Sequence, residues 1–457
     1  MSSSQVERQV KDIFGERARF SEIDRACYSY DAMGVSTLPD GVVFPEKEQE
    51  IRDFLKLADQ IRLPVIPRGA GSGFTGGSVP VRGGIILSLE RMNRIVDIDE
   101  ENMTVKVMPG VVLDLLKSEV KGVGLFYPPD PASLEFCTIG GNIAECAGGP
   151  SGFKYGVTKD YVLSLRNVLP TGKVLVTGVD TLKGVVGYNL TGLIVGSEGT
   201  LSVVTEATLR LIPYPESFST ILGGFATTEE ASLAVNRIIQ AGIIPAAIEI
   251  MDSSAVECVR EFGGVDLHEG VGCYLLIELD GPEEGVRASS RKLSDTLSRN
   301  GVVVIESATD SEGREKLWSL RRAISPSLLK VNPKKLNEDI TVPRTGLPAM
   351  MRKIRELSER KGIPIVTFGH AGDGNIHVNV MIDDAIPWQV EEAEKIVREI
   401  FSLTVEMGGT ISGEHGVGLA KKPYIGIELN EEQIFIMKRI KHLFDPNNIL
   451  NPHKIFP

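Results

Sequence analysis

The chain has 457 residues, 42% of them hydrophobic and 24% charged, with a net charge of −12; it can form two or three domains with a large core, and its acidic balance argues against nucleic acid as a partner. Five cysteines, none in a CxxC spacing, disfavour a disulfide framework or an iron–sulfur cluster within the chain. The N-terminal stretch MSSSQVERQVKDIFGER has no apolar signal core, and no apolar run approaches the roughly 20 residues of a transmembrane segment, so a cytoplasmic location is expected, with peripheral membrane contact through a partner left open.

Residues 3–15 read as a short amphipathic helix and 41–45 as a strand. Ile51, Phe54, Leu55 and Leu57 recur among charges across 46–60, a helical pattern. A strand-like Pro64–Pro67 then leads into Arg68–Ser78, which has five glycines in eleven residues. Glycine lets a backbone turn tightly and aim successive N–H groups inward, making an anion nest. Pyrophosphate is the natural ligand of such a nest. The spacing is neither GxGxxG nor GxxxxGK[ST], which disfavours a Rossmann unit or a P-loop.

Strands are expected at 85–89, 95–98 and 104–108, and a helix from 109–111 to about Val120. A second glycine-rich stretch, 138–149, reads as too irregular for a plain strand or helix. Residues 162–169 and 173–177 read as a hairpin about Pro170-Thr171-Gly172. A third glycine-bearing loop, 196–205, runs into a strand ending near Pro213, and Pro213–Glu216 reads as a boundary. Beyond it strands (221–225, 246–251, 273–279, 302–306, 340–342, 365 onward) alternate with helices (228–240, 283–299, 311–324, 347–360, 388–407). The fold class expected is α+β.

Two short stretches near the C-terminus hold three of the six histidines. In VTFGHAGDGNIHVN (366–379), the Gly/Asp/Asn run 371–375 is a turn between two strands. Such a turn can bring His370 and His377 to one end of a sheet. Ser412-Gly-Glu-His-Gly416 follows downstream. Two imidazoles and one carboxylate with open positions make a catalytic transition-metal site, so His370, His377 and Glu414 are the expected ligands of a Zn- or Mn-like divalent ion. Asp373 is read as fixing the turn. Asn379, two residues past His377 on one strand face, is placed to touch a substrate hydroxyl.

The N-terminal half resembles the FAD-binding domain of the vanillyl-alcohol oxidase/p-cresol methylhydroxylase (PCMH) superfamily. The pieces that carry this are PRGAGSGFTGG, PPDPAS, TIGGNIAECAGG, KYGVTKDYV and GSEGTLSVVTEATLRL. LWSLRRA, FGHAGDGNIH, SGEHGVG and DPNNILNPHK make the C-terminal half similar to FAD-linked D-2-hydroxy acid dehydrogenases. Glycolate oxidase catalytic subunits and D-lactate dehydrogenases are of this type. The resemblance implies a PCMH-type two-subdomain FAD-binding domain over 1–215 (core about 36–215). It implies an α+β cap domain with an antiparallel sheet over 216–410, and a segment 411–457 returning to the FAD domain.

The resemblance also implies site roles. Pro67, Arg68, Gly69, Ala70, Gly71, Ser72, Gly73 and Phe74 would carry the FAD pyrophosphate. Ser133, Thr138, Gly141, Glu145, Cys146, Ala147, Gly148 and Gly149 would follow the flavin and ribityl chain. Glu198, Val203 and Val204 would lie near the adenine, and Asn451 belongs to the terminal pattern Asn-Pro-Gly-Lys, where this chain has His453. No histidine precedes His268, so non-covalent FAD is expected. Arg321 would bind the substrate carboxylate and His415 would be the base, in oxidation of a D-2-hydroxy acid (D-lactate or glycolate) to the 2-oxo acid. Electrons would pass to an electron-transfer flavoprotein, an iron–sulfur subunit, a cytochrome or a quinone. The alternatives are an alkyl-glycerone-phosphate synthase-like flavoenzyme, a metallohydrolase, or a non-catalytic flavin subunit of a redox complex.

Overall fold

A computed structural model describes residues 3–262 and 267–457. Two compact units divide the chain. The first comprises Met1–Gly148, Val157–Tyr214 and Glu414–Pro457, and the second Gly149–Gly156 and Pro215–Gly413.

The first unit holds two principal sheets. One has four strands in the order Ala18–Arg19, Gly41–Val43, Ile85–Ser88, Val65–Arg68, with parallel pairing among the last three. The other has five antiparallel strands in the order Ile95–Asp99, Thr104–Val107, Val203–Arg210, Val162–Val168, Val174–Gly178. Glu48–Ile61 is a helix because its apolar residues fall at i, i+3, i+4 and i+7. That face, Ile51, Phe54, Leu55 and Ala58, is wholly buried. It packs with Val65, Ile85, Leu87, Val168, Val203, Ile449 and Leu450. Truncating a buried Phe such as Phe54 to Ala costs about 3–5 kcal/mol.

The segment from Glu414 onward fastens the first glycine-rich run. Ile449 and Asn451 bracket Val65 with two backbone hydrogen bonds of 2.8 Å. The Asn451 amide donates to the carbonyls of Gly77 and Glu198, and Lys454 Nζ donates to those of Gly76 and Val79. His453 has φ +69°, a left-handed conformation in which glycine is unstrained. This accounts for the Gly of the related pattern, and His453 adopts the conformation all the same.

The second glycine-rich stretch departs from expectation: Ile139–Glu145 is a helix. Thr138 caps it, its hydroxyl accepting from Gly141 N at 3.3 Å. Gly140 is there for close approach, since a Cβ would stand 2.6 Å from Pro109 Cβ.

The second unit is built on a seven-stranded sheet, antiparallel throughout. Its order is Val302–Ala308, Ser217–Phe225, Cys273–Gly281, Ala247–Met251, Ile365–His370, Asn375–Ile382, Lys334–Thr341. Helices Ser253–Phe262 and Ser311–Val331 pack their Val256, Val259, Leu317, Leu320, Ile324 and Leu328 onto Met251, Val366, Phe368 and Met381. Ser311–Val331 runs past the expected stop at 324, through Pro326. A proline inside a helix costs about 3 kcal/mol. Ile324 and Leu328, both fully buried, stabilise by about 1.5–3 kcal/mol each, which offsets it.

Gly149–Gly156 lies with this second unit. Lys154 Nζ donates to the Asp280 carbonyl at 2.9 Å and pairs with its carboxylate, and Tyr155 OH donates to Asp280 Oδ2 at 2.7 Å.

Candidate functional site

In the first unit a cleft of about 630 Å³ is lined by Arg68, Gly69, Ala70, Gly71, Ser72 and Thr138, with Tyr28, Gly110 and Phe136 among its other walls. Backbone is exposed here because side chains are excluded. A Cβ on Gly69 would sit 2.4 Å from Thr138 Oγ1, and one on Gly71 (φ +71°) 2.1 Å from Arg68 Nη2. The buried Arg68 guanidinium lies under this turn and donates to Tyr30 O (2.7 Å) and Ser78 Oγ (3.2 Å). The volume is that of a small-molecule site; its glycine backbone leaves room for a pyrophosphate on the Gly69–Ser72 side, with Asp31 and Glu90 also on its walls.

The other residues expected near FAD have varied placements. Phe74 stacks at 5.1 Å on His415, tilted by 36°. Gly73 O accepts from Ala32 N, and Ser133 O from Cys137 N. Pro67 packs on Gly199, where a Cβ would lie 3.4 Å away. Cys146 closes the 139–145 helix in a left-handed conformation, and Ala147 O takes two hydrogen bonds from Thr158. Glu198 accepts from Val417 N and Gly418 N, both at 2.7 Å, so its carboxylate holds the 416–418 turn. Burial, with the neighbouring Glu198 charge, pushes the Glu145 carboxyl well above its usual range. Gly416 fits between the two: a Cβ would lie 2.4 Å from Glu145 Oε2 and 3.0 Å from Glu198 Oε1. The Val203 side chain is enclosed in the core, opposite Val168, and Val204 pairs with Asn167. A Cβ on Gly148 would stand 2.9 Å from Glu414 Oε2.

In the second unit the two expected strands and their turn form as Ile365–His370 and Asn375–Ile382. Gly374 N donates to His370 O at 3.1 Å, and Asn375 N to Asp373 Oδ1 at 3.2 Å. Gly374 has φ +87°, and a Cβ would lie 2.1 Å from Val342 O, so only glycine closes this turn. Register sets His377 opposite Phe368, and Asn379 opposite Val366. The result is a meeting of ring nitrogens: His370 Nε2 and His377 Nε2 are 3.4 Å apart, both rings buried. Two imidazole nitrogens turned toward each other are a donor set for one metal ion.

Glu249, a residue the sequence reading passed over, stands behind this pair. It lies opposite His370 in the sheet. His370 Nδ1 is 2.5 Å from its Oε1, and Arg321 Nε donates to its Oε2 at 2.8 Å. Burial alone would raise the Glu249 carboxyl, but the charges of His370 and Arg321 and their hydrogen bonds outweigh it and hold it below the usual range. Arg321 also lies over the Phe368 ring at 4.4 Å. Its Nη1 and Nη2 have no partner among the described residues. The sequence signal for Glu249 was a lone carboxylate in the otherwise apolar strand Ala-Ile-Glu-Ile-Met.

Asn379 Nδ2 donates to Val366 O at 3.2 Å, and its buried Oδ1 has no partner among the described residues. Asn337, its cross-strand neighbour, has a buried Oδ1 in the same condition. Gly413 N donates to Asp339 Oδ2 at 2.8 Å, and Asp339 is the strand neighbour of His377. Glu414 and His415 follow Gly413 in the chain and belong to the first unit.

The C-terminal domain model of FAD-linked oxidases matches residues 214–455, and an FAD-binding domain model matches 39–178. The chain belongs to the FAD-linked oxidase family. This FAD-linked oxidase is 41% identical to the glycolate oxidase subunit GlcD of Bacillus subtilis (strain 168), over all of this chain and 97% of that protein. It is 37% identical to a D-lactate dehydrogenase of Archaeoglobus fulgidus, over 91% of this chain and 90% of that one. Among solved structures, p-cresol methylhydroxylase with substrate bound superposes with a TM-score of 0.81 at 17% identity, covering 98% of this chain and 96% of that one. Alkyldihydroxyacetonephosphate synthase superposes at 0.76 with 22% identity, covering 99% and 86%. These two show the PCMH-type fold. No helix among the described residues is long and apolar enough to cross a membrane.

Proposed function

We propose that this FAD-linked oxidase oxidises a small D-2-hydroxy acid, D-lactate or glycolate, to the 2-oxo acid. One observation carries the reading. A guanidinium with both Nη atoms uncommitted and two converging imidazole nitrogens share one buried sheet face, joined by Glu249. A 2-hydroxy acid presents the matching groups: a carboxylate and, one carbon away, a hydroxyl. The names of the relatives, glycolate oxidase subunit and D-lactate dehydrogenase, support the same class.

The Nη edge of Arg321 binds the carboxylate through two parallel hydrogen bonds. Asn379 lies on the same strand face as His377 and contacts the substrate beside its hydroxyl. His415 takes the hydroxyl proton as the C2 hydrogen leaves with its electron pair. FAD, which the cleft at Gly69–Ser72 would hold non-covalently, would supply the hydride acceptor. A divalent Zn- or Mn-like ion on His370, His377 and Glu414 would add Lewis acidity at the hydroxyl oxygen. Glu414 suits the third place because it directly follows Gly413, which is fastened beside His377 through Asp339. Electrons then leave to a partner, as the word subunit in the name of GlcD suggests. An electron-transfer flavoprotein, an iron–sulfur subunit, a cytochrome or a quinone would each serve.

The test is anaerobic bleaching of the yellow protein by a panel of D- and L-2-hydroxy acids. D-lactate or glycolate should bleach it fastest. No bleaching by any member would defeat the proposal.

Arg321→Lys keeps the charge and loses the fork. Hydrogen bonds to charged groups contribute about 1.5–3 kcal/mol, so kcat/KM should fall by about 10–100-fold. An unchanged kcat/KM would leave Arg321 as a partner of Glu249 alone.

A further inference from the structure

We propose that Glu249 is a positioning residue that couples recognition of the substrate carboxylate to metal binding. This deepens the reading above and rests on it. The carboxylate is fully buried, and each oxygen is engaged: Oε2 by Arg321 Nε at 2.8 Å and Oε1 by His370 Nδ1 at 2.5 Å. Both engagements leave the useful edge of the partner pointing elsewhere.

In Arg321, occupying Nε fixes the guanidinium plane and presents the Nη1–Nη2 edge as the remaining fork. The Phe368 ring beneath it, at 4.4 Å, blocks rotation out of that plane. In His370, Nδ1 is committed to Glu249 Oε1 at 2.5 Å. The nitrogen left to bind a metal, in the neutral ring that such binding requires, is therefore Nε2, which faces His377 Nε2 at 3.4 Å. Supports of this kind behind a ligating histidine typically change metal affinity by 10–100-fold when removed.

Glu249 is not itself a candidate ligand, because both oxygens are already used. Nor can it shift independently. It sits mid-sheet, registered against His370 on one side and Leu276 on the other. A displacement of the Arg321 head is thus transmitted through one rigid carboxylate to the His370 ring.

The test is Glu249→Gln in the full-length flavoprotein. A glutamine of the same shape has one acceptor oxygen and one NH2, so it can serve only one of the two donors. Flavin content should match wild type. Zn affinity, measured by competition with a chelator, should weaken by about 10–100-fold, and KM for the 2-hydroxy acid should rise by about tenfold or more. In an Arg321→Ala background, Glu249→Gln should still weaken Zn binding and should no longer raise KM. A residue that only fills the core would lower the unfolding midpoint and leave both Zn affinity and KM at wild-type values, and that result overturns the proposal. Should Glu249→Gln be insoluble, Glu249→Asp takes its place. Too short to span both donors, it should impair at least one of the two readouts, and wild-type values for both would sink the idea. If wild-type protein itself binds no Zn and no hydroxy acid bleaches it, the functional reading fails instead, irrespective of Glu249.

Discussion

His415→Asn should reduce its flavin with substrate about 10²–10⁴-fold more slowly than wild type, the usual contribution of a positioned acid–base group. The ring stacks on Phe74 of the first glycine-rich run, 5.1 Å between centroids, so it belongs to the unit that carries the FAD-binding domain. An imidazole ordinarily titrates near 6.5 and can take a proton close to neutrality. Asparagine fills nearly the same volume and hydrogen-bonds, but it takes no proton at working pH. FAD content, metal content and the apparent substrate Kd should therefore stay near wild type while the reduction rate falls. Stopped-flow mixing of oxidised protein with substrate under anaerobic conditions reads that rate directly. Reduction at the wild-type rate would place the base elsewhere in the chain.

His377→Ala is expected to lose the metal and to keep the flavin. With one of two opposed imidazoles gone, His370 Nε2 faces a gap where its counterpart stood at 3.4 Å. The side chain removed is buried, and truncation of a large buried group typically costs a few kcal/mol; the fold should survive this with a lower unfolding midpoint. Lewis-acid assistance is worth several kcal/mol, so flavin reduction should slow by on the order of 10²–10³-fold. The informative comparison is wild type stripped by a chelator. Both preparations should converge on one slow rate, and adding Zn or Mn back should rescue the stripped wild type alone. Equal metal content in wild type and His377→Ala would remove His377 from the ligand set.

How legible this was differs from residue to residue. The strand–turn–strand around Gly372–Gly374 could be read directly, because turn residues between apolar runs have a local cause. His370 and His377 followed from it. Helix Ser311–Val331 was read too short, since Pro326 is a local stop signal and the burial of Ile324 and Leu328 that overrides it is not local. Ile139–Glu145 was missed as a helix for the converse reason. Its glycines lower helix propensity, while Thr138 and the Pro109 backbone that Gly140 packs against hold it in place. Glu249 was overlooked because its meaning depends on a register with His370, 121 residues away. The stretches expected to hold FAD rest on resemblance, whereas the hydrogen-bonding tasks of Glu198 and Asn451 within the protein appear only once the segment from Glu414 onward is in place.

The octapeptide Gly149–Gly156 has a consequence for biosynthesis. Residues that complete the second unit leave the ribosome before any other part of it, and residues 414–457, which complete the first, leave after the whole of 215–413. The first unit therefore cannot finish folding until the whole of the second has been made, whereas the second has all its residues once Gly413 emerges and must hold 149–156 in reserve until then. Val65 waits for Ile449 and Asn451, and Asp280 closes on Lys154 and Tyr155, made far earlier. Such long sequence separations slow folding and prolong exposure of unfinished sheet edges. Production of this flavoprotein should consequently tolerate slow, cool expression better than fast, warm expression, and cutting the gene at either unit border should yield two insoluble halves.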